Sequence, residues 1–128
     1  MKEGIDVTLE HGQILTAIDH TYPPTTARSY AYCSDTIYEP KILKYIMESD
    51  LIYHEATYTE AHIQKAKENF HSTAKEAAEI ALMSKCKKLI IGHFSSRYKS
   101  LDQLLNEAKS IFEHTEIASE GNWYKVKD

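Results

Sequence analysis

Short apolar runs alternate with stretches of helical spacing over most of this 128-residue chain, and this alternation limits its fold more than any other feature. The runs "SYAYC", "DLIYHE" and "KKLIIGH" have the length and the aliphatic or aromatic content of strands, and each precedes a helical stretch. Repeated strand–helix units predict an α/β architecture with helices packed on a sheet.

The helical stretches carry start signals and apolar stripes. Pro40 lies near the first turn of the first predicted helix. Residues 60–69 are charged and predicted to be helical. Thr73 with Glu76 forms a capping-box pattern at the next helix, and Ser100 with Gln103 is predicted to cap the helix after it. The three apolar stripes are, in order, Ile42, Leu43, Ile46 and Met47; Ala74, Ala77, Ala78, Ala81 and Leu82; Leu101, Leu104, Leu105, Ala108, Ile111 and Phe112.

The two ends of the chain are predicted to be short β elements. "IDVTL" and "QILTAI" flank Glu10-His11-Gly12 as a hairpin, and "TYPPTTARS" follows as an extended connector because adjacent prolines resist helix and ladder pairing. "TEIAS" and "NWYKV" are predicted to close the chain as two strands. We therefore expect one domain over residues 1–128, with a hairpin and connector at 1–28 and strand–helix units at 29–128.

Composition sets the class of protein. With 42% hydrophobic and 27% charged residues, the chain is typical of one globular domain, and it has no apolar run of the roughly 20 residues that span a bilayer. The N-terminus lacks a signal-peptide core, which predicts the cytoplasm. Cys33 and Cys86 have no metal or redox spacing and are predicted to be reduced and buried. The net charge of −4 argues against binding nucleic acid by bulk positive charge.

Polar residues follow three of the predicted strands where each strand ends. They occur in the segments "CSDT", "HEAT" and "GHFSSR", and "HST" opens the alanine-rich helix. Functional groups of α/β sheets gather at the carboxyl ends of strands, so we expect these four segments to meet at one edge.

Each polar residue also has an ordinary structural interpretation. Asp35 is of a residue type that is common in turns. His93 could be a hydrogen-bonded histidine at a strand end, and His71 could be a solvated residue before a helix cap. Glu55 and Arg97 could be surface charges. Taken together, however, Asp and His suit zinc, a carboxylate beside a histidine suits proton transfer, and Ser with Arg suits a phosphate. The joint pattern predicts metal-assisted chemistry at a phosphate, without naming the reaction.

The motifs "YAYCSDT", "IYHEATY", "FHSTAKEAAEIA" and "LIIGHFSSRY" resemble, in this order, those of the ribonuclease Z family. These enzymes are tRNA 3′-processing endonucleases of the metallo-β-lactamase superfamily. The resemblance runs from about Arg28 to the C-terminus. It implies the C-terminal half of an αββα sandwich, with helices packed on a mixed sheet.

The resemblance also implies roles for individual residues. Asp35 matches an aspartate that bridges two zinc ions, and His93 matches the last histidine ligand. His71 matches the general acid of the reaction, and Glu55 matches the glutamate that orients this histidine. Ser95, Ser96 and Arg97 match a loop near the active site, for which a phosphate role is expected, whereas His54 is expected to be structural.

Two parts of the family's pattern have no counterpart in this sequence. The zinc motif His-x-His-x-Asp-His is absent, and we assign neither His11 nor His20 as a ligand. The basic arm that grips precursor tRNA in the family is also absent. Catalytic zinc sites normally have at least three protein ligands. We therefore predict that the isolated chain holds little or no zinc, lacks significant nuclease activity, and self-associates, as a homodimer, through an uncovered sheet face.

The sequence is also compatible with three alternatives. The first is another metallo-β-lactamase-superfamily hydrolase, which would share Asp35 and His93 but would not need the His71–Glu55 pair. The second is a non-catalytic module that associates with itself or a partner. The third is a flavodoxin-like domain, which fits the alternation but requires a phosphate loop that this sequence does not show.

Overall fold

A four-stranded parallel sheet forms the centre of the computed structural model, which describes residues 7–8, 14–15 and 27–127. Its strands are β3 (Tyr30–Cys33), β4 (Leu51–Glu55), β5 (Lys88–Gly92) and β6 (Thr115–Ile117), adjacent in that order. We predicted a mixed sheet, but all three pairings among these strands are parallel. Each connection contains helix, which returns the chain to the same end of the sheet and forces parallel pairing.

The predicted N-terminal hairpin is confirmed where the structure describes it. β1 (Val7–Thr8) and β2 (Ile14–Leu15) pair antiparallel, with Val7 opposite Leu15. Residues 21–26 of the "TYPPTTARS" connector lie outside the described residues.

Two short and two longer helices accompany the sheet. A 3-10 turn at Pro40–Ile42 leads into α1 (Leu43–Ile46), and a second at Glu60–His62 leads into α2 (Ile63–Glu68). The longer helices are α3 (Ala74–Ser84) and α4 (Asp102–Lys109). None of the helices in the described part of the chain combines the length and apolar character needed to cross a bilayer.

The core lies between one face of the sheet and helices α3 and α4. Alternate strand residues, including Ile52, Leu89 and Ile91, are fully buried on that face. The predicted alanines of α3 are also fully buried, and their small side chains let the helix pack closely on the sheet. The predicted capping box is confirmed, because Thr73 and Glu76 exchange both of its hydrogen bonds.

Several details of the helical stripes were wrong. Leu82 is 54% exposed, while Ile80 is fully buried, so the buried face of α3 is rotated from the predicted stripe. Met47 is also exposed, because α1 ends at Ile46.

The two cysteines differ in burial. Cys33 is only half-buried, whereas Cys86 is buried, and both are free thiols.

The predicted cap before α4 is confirmed for the Ser100 hydroxyl but wrong in its N-cap position and in the role of Gln103. The N-cap is Leu101, one residue after Ser100, and the Ser100 hydroxyl accepts a bond from the Asp102 N–H. Gln103 donates to Glu107 one turn further on, and its side chain therefore does not reach back to close a box.

The final predicted strand, "NWYKV", does not form. The Tyr124 hydroxyl donates to the Ile117 carbonyl and accepts from the Ser119 N–H. These side-chain bonds occupy backbone groups at the end of β6, and the segment after them has no ladder partner among the described residues. Trp123 is consequently 98% exposed.

Gly92, at the end of β5, is required by packing. A Cβ atom there would lie 2.5 Å from the Tyr53 hydroxyl oxygen and 2.8 Å from its ring. Tyr53 cannot easily retreat, because its ring stacks on Tyr32 at 4.7 Å between centroids. This glycine therefore lets the end of β5 approach the tyrosine pair.

We predict that Gly92→Ala lowers the free energy of unfolding by about 1–3 kcal/mol, the usual cost of overpacking. Chemical unfolding of the wild-type chain and the variant measures this loss. In a Tyr53→Ala background the glycine substitution should cost much less, since the clashing ring is gone. Additive effects of the two substitutions would contradict the assigned contact.

Candidate active site

Four predicted site residues meet at one edge of the sheet. Asp35 follows β3, Glu55 ends β4, His71 precedes α3 and His93 follows β5. One carboxylate oxygen or ring nitrogen from each lies within 4.8 Å of the others. The strand order explains this, because the carboxyl ends of β3, β4 and β5 are neighbours in a parallel sheet.

Glu55 is the organising group of this cluster. Its side chain is fully buried, and the carboxyl oxygens accept five hydrogen bonds from three chain segments. The donors are the backbone N–H groups of Thr36, Thr57 and Ser72, the Thr57 hydroxyl and His71 Nδ1–H. Backbone N–H groups and a hydroxyl supply four of these bonds, so the carboxyl oxygens act here as acceptors. It is therefore an anchor, with no lone pair left to face a metal ion.

The Glu55 carboxylate fixes the orientation of His71. The His71 Nδ1–H donates to Oε1 of Glu55 at 2.6 Å, while the histidine side chain remains 23% exposed. Since Nδ1 is occupied, Nε2 is the nitrogen that His71 offers to a substrate. A ring held in this way can transfer a proton at Nε2.

Asp35 and His93 form a pair with the geometry of two ligands to one ion. Oδ1 of Asp35 lies 3.2 Å from Nε2 of His93. Two tetrahedral zinc ligands with bonds of about 2.1 Å are about 3.4 Å apart. The donor types and the spacing therefore fit zinc, while Glu55 is committed to its five donors.

Both residues of this pair have left-handed backbone conformations. Asp35 has φ 49° and His93 has φ 61°, and residues other than glycine seldom adopt such values. Phe70, immediately before His71, has φ 59°. Such conformations persist where surrounding bonds impose them, and they are concentrated at functional sites.

The loops that carry the site are bonded to one another. Ser72 donates its hydroxyl to the Thr36 carbonyl at 2.6 Å, and the Ser95 N–H donates to the Thr57 carbonyl at 3.0 Å. The Ala56 N–H donates to the Gly92 carbonyl at 2.8 Å. These bonds limit relative motion of the four loops. The sequence by itself assigns no role to Thr36, Thr57 or Ser72, and the only available signal is their position beside a strand end or a helix start.

Ser95, Ser96 and Arg97 lie in the loop after His93, at the same edge. Ser95 is half-buried, and Ser96 and Arg97 are exposed. The Arg97 guanidinium carbon lies 5.8 Å from the centre of the Tyr58 ring, and that ring lies 6.4 Å from the His71 ring. Arg97 therefore stacks one side chain away from His71.

His54 is outside this cluster, as expected. It is fully buried on the helix-facing side of the sheet, and its Nδ1–H donates to the Glu55 carbonyl at 2.7 Å. Its Nε2 has no hydrogen-bond partner in the described part of the chain. Burial lowers the pKa of His54 below its usual value of 6.5, because a charged ring would lose its hydration.

This burial predicts a pH dependence of stability. The folded chain holds neutral His54, so its contribution is complete above the unfolded pKa of about 6.5 and is lost as pH falls below it. Between pH 7 and 5, the wild-type chain should lose more unfolding free energy than His54→Leu, by up to about 1.4 kcal/mol per pH unit. Chemical unfolding at several pH values measures the difference, and parallel curves for the two proteins would exclude this effect.

Comparison of the sequence with known proteins identifies relatives of this chain. No protein-family model matches the chain. A ribonuclease Z from Porphyromonas gingivalis is 52% identical over 118 residues, which are 92% of this chain and 39% of the relative. A ribonuclease Z from Cytophaga hutchinsonii is 43% identical over 129 residues, covering 100% of this chain and 41% of the relative. The resemblance to ribonuclease Z is confirmed.

Comparison with solved structures identifies proteins with a similar fold. A metallo-β-lactamase fold protein from Bacillus subtilis matches with a TM-score of 0.70 at 24% identity, over 77% of this chain and 40% of that one. A long-form ribonuclease Z from yeast matches with a TM-score of 0.59 at 32% identity, over 68% and 12%. The short form of human tRNase Z gives 0.53 at 31%, over 67% and 28%.

The fold is thus part of the metallo-β-lactamase fold, as predicted. The chain spans about two fifths of the length of the ribonuclease Z relatives that it matches. The geometry described here therefore concerns the matched two fifths of such a protein.

Proposed function

We propose that this chain contributes the general acid, the carboxylate that orients it and two metal ligands to a zinc-dependent endoribonuclease. The whole protein removes 3′ trailers from precursor tRNA and leaves a 3′-hydroxyl. The observation that carries the proposal is the buried Glu55 carboxylate, which holds His71 beside the converging Asp35–His93 pair. A simple association module has no need for this arrangement.

Asp35 and His93 would hold the zinc. Bound zinc would polarise the scissile phosphate and activate water. Two protein ligands are fewer than the three that a catalytic site requires. The remaining ligands for a two-zinc centre therefore have to come from outside the described residues, and the isolated chain should retain little or no zinc.

His71 would act as the general acid, with Glu55 as its positioning residue. As the oxygen of water bonds to phosphorus and its proton is released to solvent, the bond from phosphorus to the 3′ oxygen breaks. The proton on His71 Nε2 passes to that oxygen and gives the tRNA 3′-hydroxyl, while the trailer retains a 5′-phosphate. The 2.6 Å bond from Nδ1 to Glu55 keeps Nε2 directed away from the buried carboxylate during this transfer.

Ser95, Ser96 and Arg97 would bind a substrate phosphate. Arg97 supports this best, because a guanidinium matches phosphate geometry and this one stacks on Tyr58 next to His71. The net charge of the chain is −4, and phosphate contacts must therefore be local.

A chimera tests the proposed function. This chain would replace the matching 118-residue segment of the ribonuclease Z from Porphyromonas gingivalis. We expect the purified chimera to cleave precursor tRNA and leave a 3′-hydroxyl, which end-labelling of the product detects. A chimera that hydrolyses a simple phosphodiester but not precursor tRNA would instead favour the other metallo-β-lactamase hydrolases. A folded chimera inactive on both would contradict the proposal.

The isolated 128-residue chain is the matched comparison for this experiment. We expect no specific trailer cleavage and little zinc by elemental analysis. Stoichiometric zinc together with specific cleavage would show that the described ligand set is incomplete.

The face of the sheet opposite the helices supports self-association of the chain. Tyr30 is 49% exposed and Tyr32 is 65% exposed on that face. We propose that the isolated chain forms a homodimer through these tyrosines, which light scattering would detect. A monomer at crystallisation concentrations would exclude this proposal.

Two further parts of the proposal concern organisation and location. Residues 29–128 would form one domain with the preceding hairpin and connector at 1–28. Because precursor tRNA is the proposed substrate, the proposed compartment is the cytoplasm.

A further inference from the structure

We propose that Thr57 is a positioning residue for His93. Its hydroxyl would link the buried Glu55 carboxylate to Nδ1 of His93, keep the proton on that nitrogen, and leave Nε2 free to bind metal. The inference rests on the proposed function, because it assumes that His93 is a ligand. It extends the role of Glu55 from His71 to a second histidine.

The first step is the direction of the bond between Thr57 and Glu55. The Thr57 oxygen lies 2.5 Å from Oε2 of Glu55, which also accepts from the N–H groups of Thr57 and Ser72. An ionised carboxylate can only accept. The single hydroxyl proton of Thr57 is therefore committed to Glu55.

The second step is the bond between Thr57 and His93. The Thr57 oxygen lies 3.0 Å from Nδ1 of His93, and it has only lone pairs left to offer in that direction. Nδ1 must therefore carry a hydrogen. The other neutral form of the ring would place a nitrogen lone pair against an oxygen lone pair, at a threonine that is only 6% exposed.

The third step is the competition from Asp35. Its carboxylate lies 3.2 Å from Nε2 of His93 and could accept a proton there instead. The Asp35 side chain is 71% exposed, so water can satisfy it, whereas buried Thr57 has no such alternative. Thr57 therefore decides which nitrogen of neutral His93 carries the hydrogen.

The consequence concerns metal binding. Histidine binds a metal ion through an unprotonated nitrogen, and hydrogen bonding of the other nitrogen fixes this form in many metal sites. In this chain the bonds run from His93 Nδ1–H to Thr57 and from the Thr57 hydroxyl to Glu55. One buried carboxylate thus orients the proposed acid directly and the proposed ligand through Thr57.

Long-range proton–nitrogen correlation spectra of the ¹⁵N-labelled chain test the inference. They distinguish protonated from unprotonated ring nitrogens at a pH about two units above the usual histidine pKa of about 6.5. We expect His93 to show a protonated Nδ1 and an unprotonated Nε2 in the wild type and in Thr57→Ser. Thr57→Val, which keeps the shape but loses the hydroxyl, should shift the ratio of the two forms about tenfold toward Nε2–H.

Two controls separate positioning from general disruption. Thr59→Val removes another buried threonine hydroxyl, which contacts Tyr98 and not Glu55, and should leave the His93 spectrum unchanged. His71 serves as an internal reference, because its Nδ1–H donates to Glu55 independently of Thr57. Its spectrum should stay the same in every variant.

Three results would overturn the inference. These are a wild-type His93 that is mainly protonated at Nε2, an unchanged ratio in Thr57→Val, and a simultaneous change at His71, which would show that Thr57 only holds the loops together. Should Thr57→Val not fold, the wild-type and Thr57→Ser spectra decide the question. Because the readout is a proton position and not cleavage, an inactive chimera would leave this inference standing.

Discussion

Replacing His71 by alanine in the chimera is expected to lower the rate of trailer cleavage by about 10²–10⁴-fold, the usual contribution of a general acid. The imidazole is held by Glu55 at 2.6 Å, and Nε2 is its only nitrogen available to a leaving oxygen. Since His71 is not among the proposed ligands, zinc content should not change. Single-turnover cleavage and elemental analysis of the same preparations measure both quantities.

A histidine outside the site provides the control for this substitution. His114 immediately precedes β6, at the opposite edge of the sheet, and His114→Ala should cleave at nearly the wild-type rate. A His71→Ala chimera that retains full activity would exclude a general-acid role. Loss of zinc from that chimera would instead make His71 a ligand.

Replacing Glu55 by glutamine is expected to lower the free energy of unfolding of the isolated chain by about 2–4 kcal/mol. The amide nitrogen of glutamine is a donor, and both carboxylate oxygens are surrounded by donors. The less costly orientation of the glutamine places its amide nitrogen where Oε1 lies in the wild type. The Thr36 N–H then loses its acceptor, and the His71 proton has to move from Nδ1 to Nε2. Relief from burying a charge offsets only part of this loss.

Guanidinium unfolding followed by circular dichroism measures the effect. The single tryptophan, Trp123, is already exposed and is therefore a poor fluorescence probe. Glu60→Gln is the matched control, because Glu60 pairs with Lys75 at the surface and should change stability by less than about 0.5 kcal/mol. Equal stabilities of Glu55→Gln and Glu60→Gln would mean that the five bonds to Glu55 do not stabilise the fold.

These two experiments address different properties of one hydrogen bond. The His71 variant removes the group that would transfer a proton, whereas the Glu55 variant removes the carboxylate that joins three chain segments. A chain that tolerates Glu55→Gln but needs His71 would have a site held mainly by its backbone.

Local patterns determined the order of the strands and helices. Strand and helix periodicities repeat within a few residues, and a sequence therefore predicts β3, β4, β5, α3 and the capping box at Thr73. The same reasoning failed at "NWYKV", because Tyr124 satisfies backbone groups that a further strand would need. It also failed to find that the sheet is parallel throughout, since pairing direction depends on where each helix returns the chain.

For the site, the sequence by itself determined which chemical groups are present. Asp35, Glu55, His71 and His93 could be singled out because each lies at a strand end or helix start, and the resemblance to ribonuclease Z supplied their expected roles. Only the tertiary structure decided how these groups are connected. The Thr36 and Ser72 donors to Glu55 lie 19 and 17 residues away along the chain, and only the tertiary fold brings them to its carboxylate. The Thr57 hydroxyl bonds to Glu55 and His93 only if the three side chains are placed to within a few tenths of an ångström. No periodicity in the sequence encodes placement that precise.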